Sequence, residues 1–118
     1  EFDAQLCNSR DAGTCRTRPI GSYSPQGDSP YGVADMSGNV WEWTLTLWGK
    51  DRDKADYVYP YVGDDGRENQ SAGDDQYRII RGGSFKDDTS GVRSACRDLD
   101  PPHYSLNNVG FRVFVAPL

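Results

Sequence analysis

A chain of 118 residues supports one domain with a modest core. Its 18 Asp and Glu against 13 Lys and Arg give a net charge of −5, and the bases are interleaved with acids, which argues against a nucleic-acid surface. No apolar run approaches membrane-spanning length. The opening Glu1-Phe2-Asp3 has neither a charged n-region nor an apolar h-region, so secreted, periplasmic and cytoplasmic locations all stay open.

Only 36% of the residues are hydrophobic, yet three Trp, seven Tyr and four Phe predict an aromatic, loop-rich core. Residues 1–30 carry turn signals at Asp11-Ala12-Gly13, Arg18-Pro19, Ser24-Pro25 and Ser29-Pro30, leaving at most a short strand at Pro19 to Tyr23. From Val40 to Leu47 the pattern alternates. Val40, Glu42 and Thr44 share one face and Trp41, Trp43 and Leu45 the other, which predicts a strand. Residues 49–76 form a hydrophilic excursion with turn formers at Asp64-Asp65-Gly66 and Gly73-Asp74-Asp75. Tyr77 to Arg81 reads as a strand entering Gly82-Gly83, and Val92 to Cys96 and Val109 to Val115 read as two more, on either side of Asp100-Pro101-Pro102. The predicted class is α+β, mainly irregular and β, with one or two short helices.

Cys7 and Cys15 bracket a short turn and suit a disulfide in an oxidising compartment, leaving Cys96 as a small buried hydrophobe. The single histidine, His103, has no second histidine or clustered cysteine with which to build a zinc or iron set. A Cys96–His103 nucleophile pair is weighed against the buried-thiol reading, which the strand pattern favours. Asp35 and Glu42 flank a Ser37-Gly38-Asn39 turn. Together with the carbonyls of Gly38 and Val40 they offer an all-oxygen set of the kind a hard cation such as Ca²⁺ prefers. The competing reading is a solvated turn Asp and an exposed strand Glu. Arg81, Arg93, Arg97 and Arg112, among Gly82, Gly83 and Gly110, read first as loop-knitting residues.

Four motifs carry a resemblance: Tyr31-Gly32-Val33-Ala34-Asp35-Met36-Ser37-Gly38-Asn39-Val40-Trp41-Glu42-Trp43-Thr44, Arg78-Ile79-Ile80-Arg81-Gly82-Gly83-Ser84-Phe85, Arg93-Ser94-Ala95-Cys96-Arg97 and Asn108-Val109-Gly110-Phe111-Arg112. In this order and spacing they resemble the formylglycine-generating enzyme, or sulfatase-modifying factor, family. The resemblance runs from Phe2 to Val113. It covers the C-terminal half of the family's domain, so residues 1–118 read as a single, N-terminally truncated domain.

The resemblance implies a C-type-lectin-like fold with little regular secondary structure. It also implies structural Ca²⁺ held by Asp35, Gly38, Val40 and Glu42, with a second family site at Asn8 and Ser9 drawing further ligands from Asp11 to Thr14. Ser84 matches a serine of the family's active pocket, making Ser84, Asp87 and Arg97 the pocket-lining candidates. Members that oxidise a sulfatase cysteine bind copper through two cysteines after the Arg-Gly-Gly-Ser motif. Counted without gaps from Ser84, those positions hold Asp87 and Val92, neither of which supplies a thiolate, so no catalytic residue and no copper are expected. The implied function is a calcium-stabilised module that binds a ligand or partner, of a kind found in bacteria, able to associate through the face a truncation exposes. The alternatives are an iron-dependent sulfoxide synthase whose ligands lie in an N-terminal region, and a diversified lectin-fold binding protein.

Overall fold

A computed structural model describes residues 2–115. Its regular structure is a four-stranded sheet in the order β3-β2-β1-β4, formed by β1 (Trp41–Gly49), β2 (Tyr77–Arg81), β3 (Arg97–Asp100) and β4 (Val109–Gly110). One turn of 3-10 helix, Arg10–Ala12, is the helical element among the described residues. No described helix is long and apolar enough to cross a membrane.

β1 and β2 are the strands that period-two alternation predicts. They pair antiparallel, with Glu42 opposite Arg81 and Trp43 opposite Ile80. Past Trp43 the register slips twice, so β1 spends more residues than β2 over the same stretch. Such bulges bend a strand and break strict alternation. Leu47 is therefore 2% exposed while Leu45, on the same predicted face, is 51% exposed. Full burial of a side chain such as Leu47 contributes about 1.5–3 kcal/mol. The apolar core around the sheet is small: Trp41, Leu47, Ile79, Ile80, Phe85, Val92 and Cys7.

Three predicted strands differ. Pro19 to Tyr23 is a turn, closed by Ser22 N–H on Pro19 O at 3.2 Å and Ser24 N–H on Gly21 O at 3.0 Å. Ile20 is 87% exposed there, so its apolar pattern has no core to enter. Val92 to Cys96 is also turned, with Val92 N–H on Asp88 O and Cys96 N–H on Arg93 O. The place beside β2 goes instead to β3, whose Arg97 is the Cα partner of Arg81. Only Val109 and Gly110 of the predicted Val109–Val115 strand pair, in parallel with Trp41 and Glu42.

Polar clasps hold what the sheet does not. Asn39, in the left-handed region at φ 67°, donates its N–H to Asn8 O at 2.8 Å and accepts from Phe85 N–H at 3.0 Å. Its Oδ1 accepts from Asn8 Nδ2 and from Arg18 N–H, each at 3.0 Å. The turn needs glycine at position 38, since φ is 79° and a Cβ there would lie 2.4 Å from Asn8 O. The 49–76 excursion is pinned by Arg67, which is 4% exposed. Arg67 grips Asp65 through Nε and Nη2, donates to Val58 O at 3.0 Å, and lies over the rings of Tyr57 and Tyr61. That hydrogen-bonded carboxylate raises the Arg67 pKa, and the guanidinium in turn lowers that of Asp65.

Candidate functional site

The Arg-Gly-Gly-Ser motif ends β2 and turns sharply at Gly82 and Gly83. Gly83 has φ 72°, and a Cβ there would stand 2.7 Å from Gly91 O. This turn drops Ser84 into the interior at 0% exposure. Asp87 Oδ2 then accepts from Ser84 N–H at 2.9 Å, Ser84 Oγ–H at 2.5 Å and Trp41 Nε1–H at 2.9 Å. Asn108 Nδ2 donates to Ser84 Oγ at 3.3 Å, joining the Asn108-Val109-Gly110 motif to the same point. Val92 is 3% exposed, and its Cα and Cγ1 stand next after Gly91 O around the Cβ that Gly83 lacks, at 2.9 and 3.0 Å.

The two positions expected to lack copper thiolates thus hold a carboxylate committed to three donors and a buried aliphatic side chain. Ser84 is sealed beneath the surface instead of lining a cleft. Arg97 is not brought to Ser84 and Asp87: it lines a different cleft, with its guanidinium 4.8 Å from the Tyr59 ring centroid.

Glu42 meets Arg112 through its carboxylate and Asp35 meets it through its backbone carbonyl. Arg112 Nε donates to Glu42 Oε2 at 2.6 Å and Nη2 to Oε1 at 2.5 Å, while Nη1 and Nη2 reach Ala34 O and Asp35 O at 3.0 and 3.1 Å. The hydrogen-bonded Glu42 pushes the Arg112 pKa up, and the Asp35 charge adds to the effect. Asp35 itself sits at φ 55° and accepts Gly21 N–H on Oδ2 at 2.8 Å. In kind, the carboxylates of Asp35 and Glu42 with the carbonyls of Gly38 and Val40 would suit a hard cation, with one guanidinium against two negative charges. Any cation there shares Glu42 with Arg112. Four protein oxygens also fall short of the six to eight that Ca²⁺ takes, leaving the remainder to water.

Asn8 and Ser9 offer a different set. Asn8 is 1% exposed, donates from Nδ2 to Arg16 O at 2.9 Å and accepts from Thr14 Oγ–H. Asp11 turns away, its Oδ2 accepting from Thr89 N–H and Oγ–H at 3.2 and 3.1 Å. Ser9 Oγ is buried with no hydrogen-bond partner of ordinary geometry among the described residues. The nearby Cys7 thiol is at most a weak one: burial pushes its pKa up and the Ser9 hydroxyl opposes that. The Asn8 cluster is therefore built from neutral groups, with no carboxylate among its hydrogen-bond partners.

All three cysteines are free, Cys7 buried, Cys15 exposed and Cys96 between, so the suggested Cys7–Cys15 bridge is not formed. His103 packs edge-on against Tyr104 at 5.1 Å, in a cleft with Lys50 and Asp75, and no hydrogen bond links it to Cys96 among the described residues. Among the described residues no three His, Cys, Asp or Glu side chains cluster as a metal site. Sequence reasoning missed Asn39 and Arg67. Asn39 sits inside a quoted motif but has no titratable group to draw attention to it, and Arg67 stands in a hydrophilic run that reads as solvated.

The chain is 30% identical over 105 residues to the formylglycine-generating enzyme of Thermomonospora curvata, a match spanning 86% of this chain and 32% of that protein. It is 34% identical over 87 residues to hercynine oxygenase of Mycolicibacterium smegmatis, covering 74% of this chain and 20% of that one. Its fold matches the structure of PvdO from Pseudomonas aeruginosa with a TM-score of 0.63 at 24% identity, over 94% of this chain and 40% of that one. The chain thus spans about a third or less of the length of the relatives it matches in sequence. The model of the sulfatase-modifying factor enzyme 1-like domain matches residues 2–117, and the chain belongs to that family.

Proposed function

We propose that this chain is a C-type-lectin-like member of the family that works as a calcium-stabilised ligand- or partner-binding module and not as a copper oxidase. The observation that carries the reading is Asp87. At the place of the first copper thiolate stands a carboxylate whose Oδ2 is engaged by Trp41 and Ser84, and the second place is taken by the buried Val92. Soft Cu(I) needs thiolates, and neither residue supplies one.

Calcium is assigned to Asp35, Glu42 and the carbonyls of Gly38 and Val40. Bound there, it would tie the turn before β1 to the strand itself. Asn8 and Ser9 contribute neutral oxygens alone and make a weaker second place for an ion. The test is thermal melting with calcium and with chelator, for the wild type and Glu42→Gln. A ligand bound only by the native state raises the midpoint with its concentration. An identical wild-type melt in both conditions overturns the calcium assignment, and stoichiometric Cu(I) binding overturns the rest.

A second reading is favoured by the 34% identity to hercynine oxygenase: a C-terminal part of an oxidoreductase whose iron ligands lie in sequence outside these residues. Coding sequence upstream of Glu1 with a His-x-x-x-His-x-Glu helix would establish that reading and displace the first.

A further inference from the structure

Between the sheet and the 49–76 excursion lies a cleft of about 200 Å³, separate from the Ser84 and Asp87 cluster. Tyr57, Tyr59 and Tyr61 line one wall from alternate positions along the chain. Arg81 and Arg97 line the other. They are direct Cα partners across β2 and β3, and among the described residues neither forms an ion pair. Arg81 Nη2 donates to Ser94 O at 2.7 Å, and Arg97 lies over the Tyr59 ring.

Like charges directly opposite in a sheet are destabilising. This chain has 18 acidic residues with which to relieve such a pair. The acids of β3 do not do so: Asp98 and Asp100 alternate onto the opposite face from Arg97, where Asp98 stands 3.8 Å from Arg52. The third guanidinium in the cleft, Arg67, is neutralised by Asp65 at 2.7 Å. The cleft therefore keeps two uncompensated positive charges beside an aromatic wall, in a protein of net charge −5.

We propose that this cleft binds a small oxyanion-bearing ligand, its carboxylate or an equivalent planar anion held by Arg81 and Arg97 and its ring against the tyrosines. Guanidinium forks match carboxylate geometry in pairs of hydrogen bonds, and a bound anion converts the repulsion between the arginines into attraction. The volume admits a ligand of about one ring, below the usual range for drug-sized sites. The inference supplies the ligand chemistry for the proposed binding role. It is independent of the calcium assignment, because none of Asp35, Gly38, Val40 and Glu42 lines the cleft.

The probes are benzoate, its neutral isostere benzamide, acetate and sulfate, titrated into the protein while the guanidinium Nε–H resonances are followed by NMR. Benzoate should shift the Arg81 and Arg97 signals saturably and bind at least about tenfold tighter than benzamide, the margin expected of charge-assisted hydrogen bonds. Tighter binding of benzoate than of acetate assigns the tyrosines to the ligand's ring; a preference for sulfate assigns the site to a bare tetrahedral anion and overturns the ring. Arg97→Gln, at an exposed and unpaired position, should weaken benzoate about tenfold with the fold intact, whereas Arg93→Gln outside the cleft should not. Equal affinity for benzoate and benzamide, undiminished binding by Arg97→Gln, or no saturable shift at roughly 10 mM anion each overturns the proposal. A negative titration beside a calcium-dependent melt would reject this ligand while leaving the calcium assignment standing.

Discussion

Asn39→Ala should be among the most damaging single substitutions outside the apolar core. Two costs add. Asn tolerates the left-handed region that φ 67° requires, whereas alanine there costs about 1–2 kcal/mol. The side chain also carries the acceptor for Asn8 Nδ2, a donor on a residue 1% exposed. Asn8 keeps Arg16 O for one amide hydrogen and loses the partner of the other, a burial penalty of about 1–3 kcal/mol. The Arg18 contacts are only part-buried and are left out of the sum. The sum is about 3 kcal/mol, roughly a hundredfold in the folding equilibrium and a large share of the 5–15 kcal/mol typical of a domain. Urea unfolding followed by tryptophan fluorescence measures it, since Trp41 is 5% exposed when folded. Asn39→Gly isolates the side-chain share, because glycine carries no left-handed penalty; it should cost about 1–2 kcal/mol less than alanine. Equal losses for the two variants would refute the backbone argument. Losses below about 0.5 kcal/mol for both, the range of ordinary surface substitutions, would refute the clasp itself.

Asp87→Ala removes the acceptor shared by Trp41 Nε1, Ser84 N–H and Ser84 Oγ. It should destabilise by about 3 kcal/mol, with Asp87→Asn well below that because it keeps an oxygen in place; denaturant midpoints decide. Gly83→Ala meets Gly91 O at 2.7 Å with φ 72°, so it should cost at least about 2 kcal/mol or prevent folding, read as loss of the cooperative melt. Burial, and then the charge of Asp98, hold the Asp100 carboxyl above the ordinary Asp range. Its ionisation therefore penalises the folded state as pH rises from the unfolded value through the raised one, and the penalty is absent below both. Asp100→Asn should raise the melting midpoint at neutral pH and leave it unchanged at about pH 3, where both side chains are neutral; a gain of equal size at both pH values would show that the charge is not the cause.

The sheet's inner strands were legible from composition: Trp41–Gly49 is rich in aromatic and β-branched residues and buries Trp41 and Leu47 of one face, and Tyr77–Arg81 carries the adjacent Ile79 and Ile80, buried on both faces. Pro19 to Tyr23 and Val92 to Cys96 were misread for a common reason: alternation marks a strand only when a neighbouring edge is free to pair, and no local signal reports that. The site residues divide along the same line. Gly38 and Gly83 could be recognised as backbone-critical from their motifs, since only a left-handed turn or a close approach needs glycine there. Their partners could not. Glu42 is held by a residue 70 positions away, Ser84 by one 24 positions away, and Asn39 by ones 21 and 31 positions away. Pairings at that separation depend on loop paths that carry no period. What the motifs encode locally is a set of sharp turns; what those turns achieve is the delivery of polar groups to partners from distant segments. In a domain whose apolar core is this small, such clasps do work that a larger sheet would otherwise do. It follows that Asp87 contributes to the fold as well as to the surroundings of Ser84, since one carboxylate oxygen gathers donors from β1 and from the turn after β2.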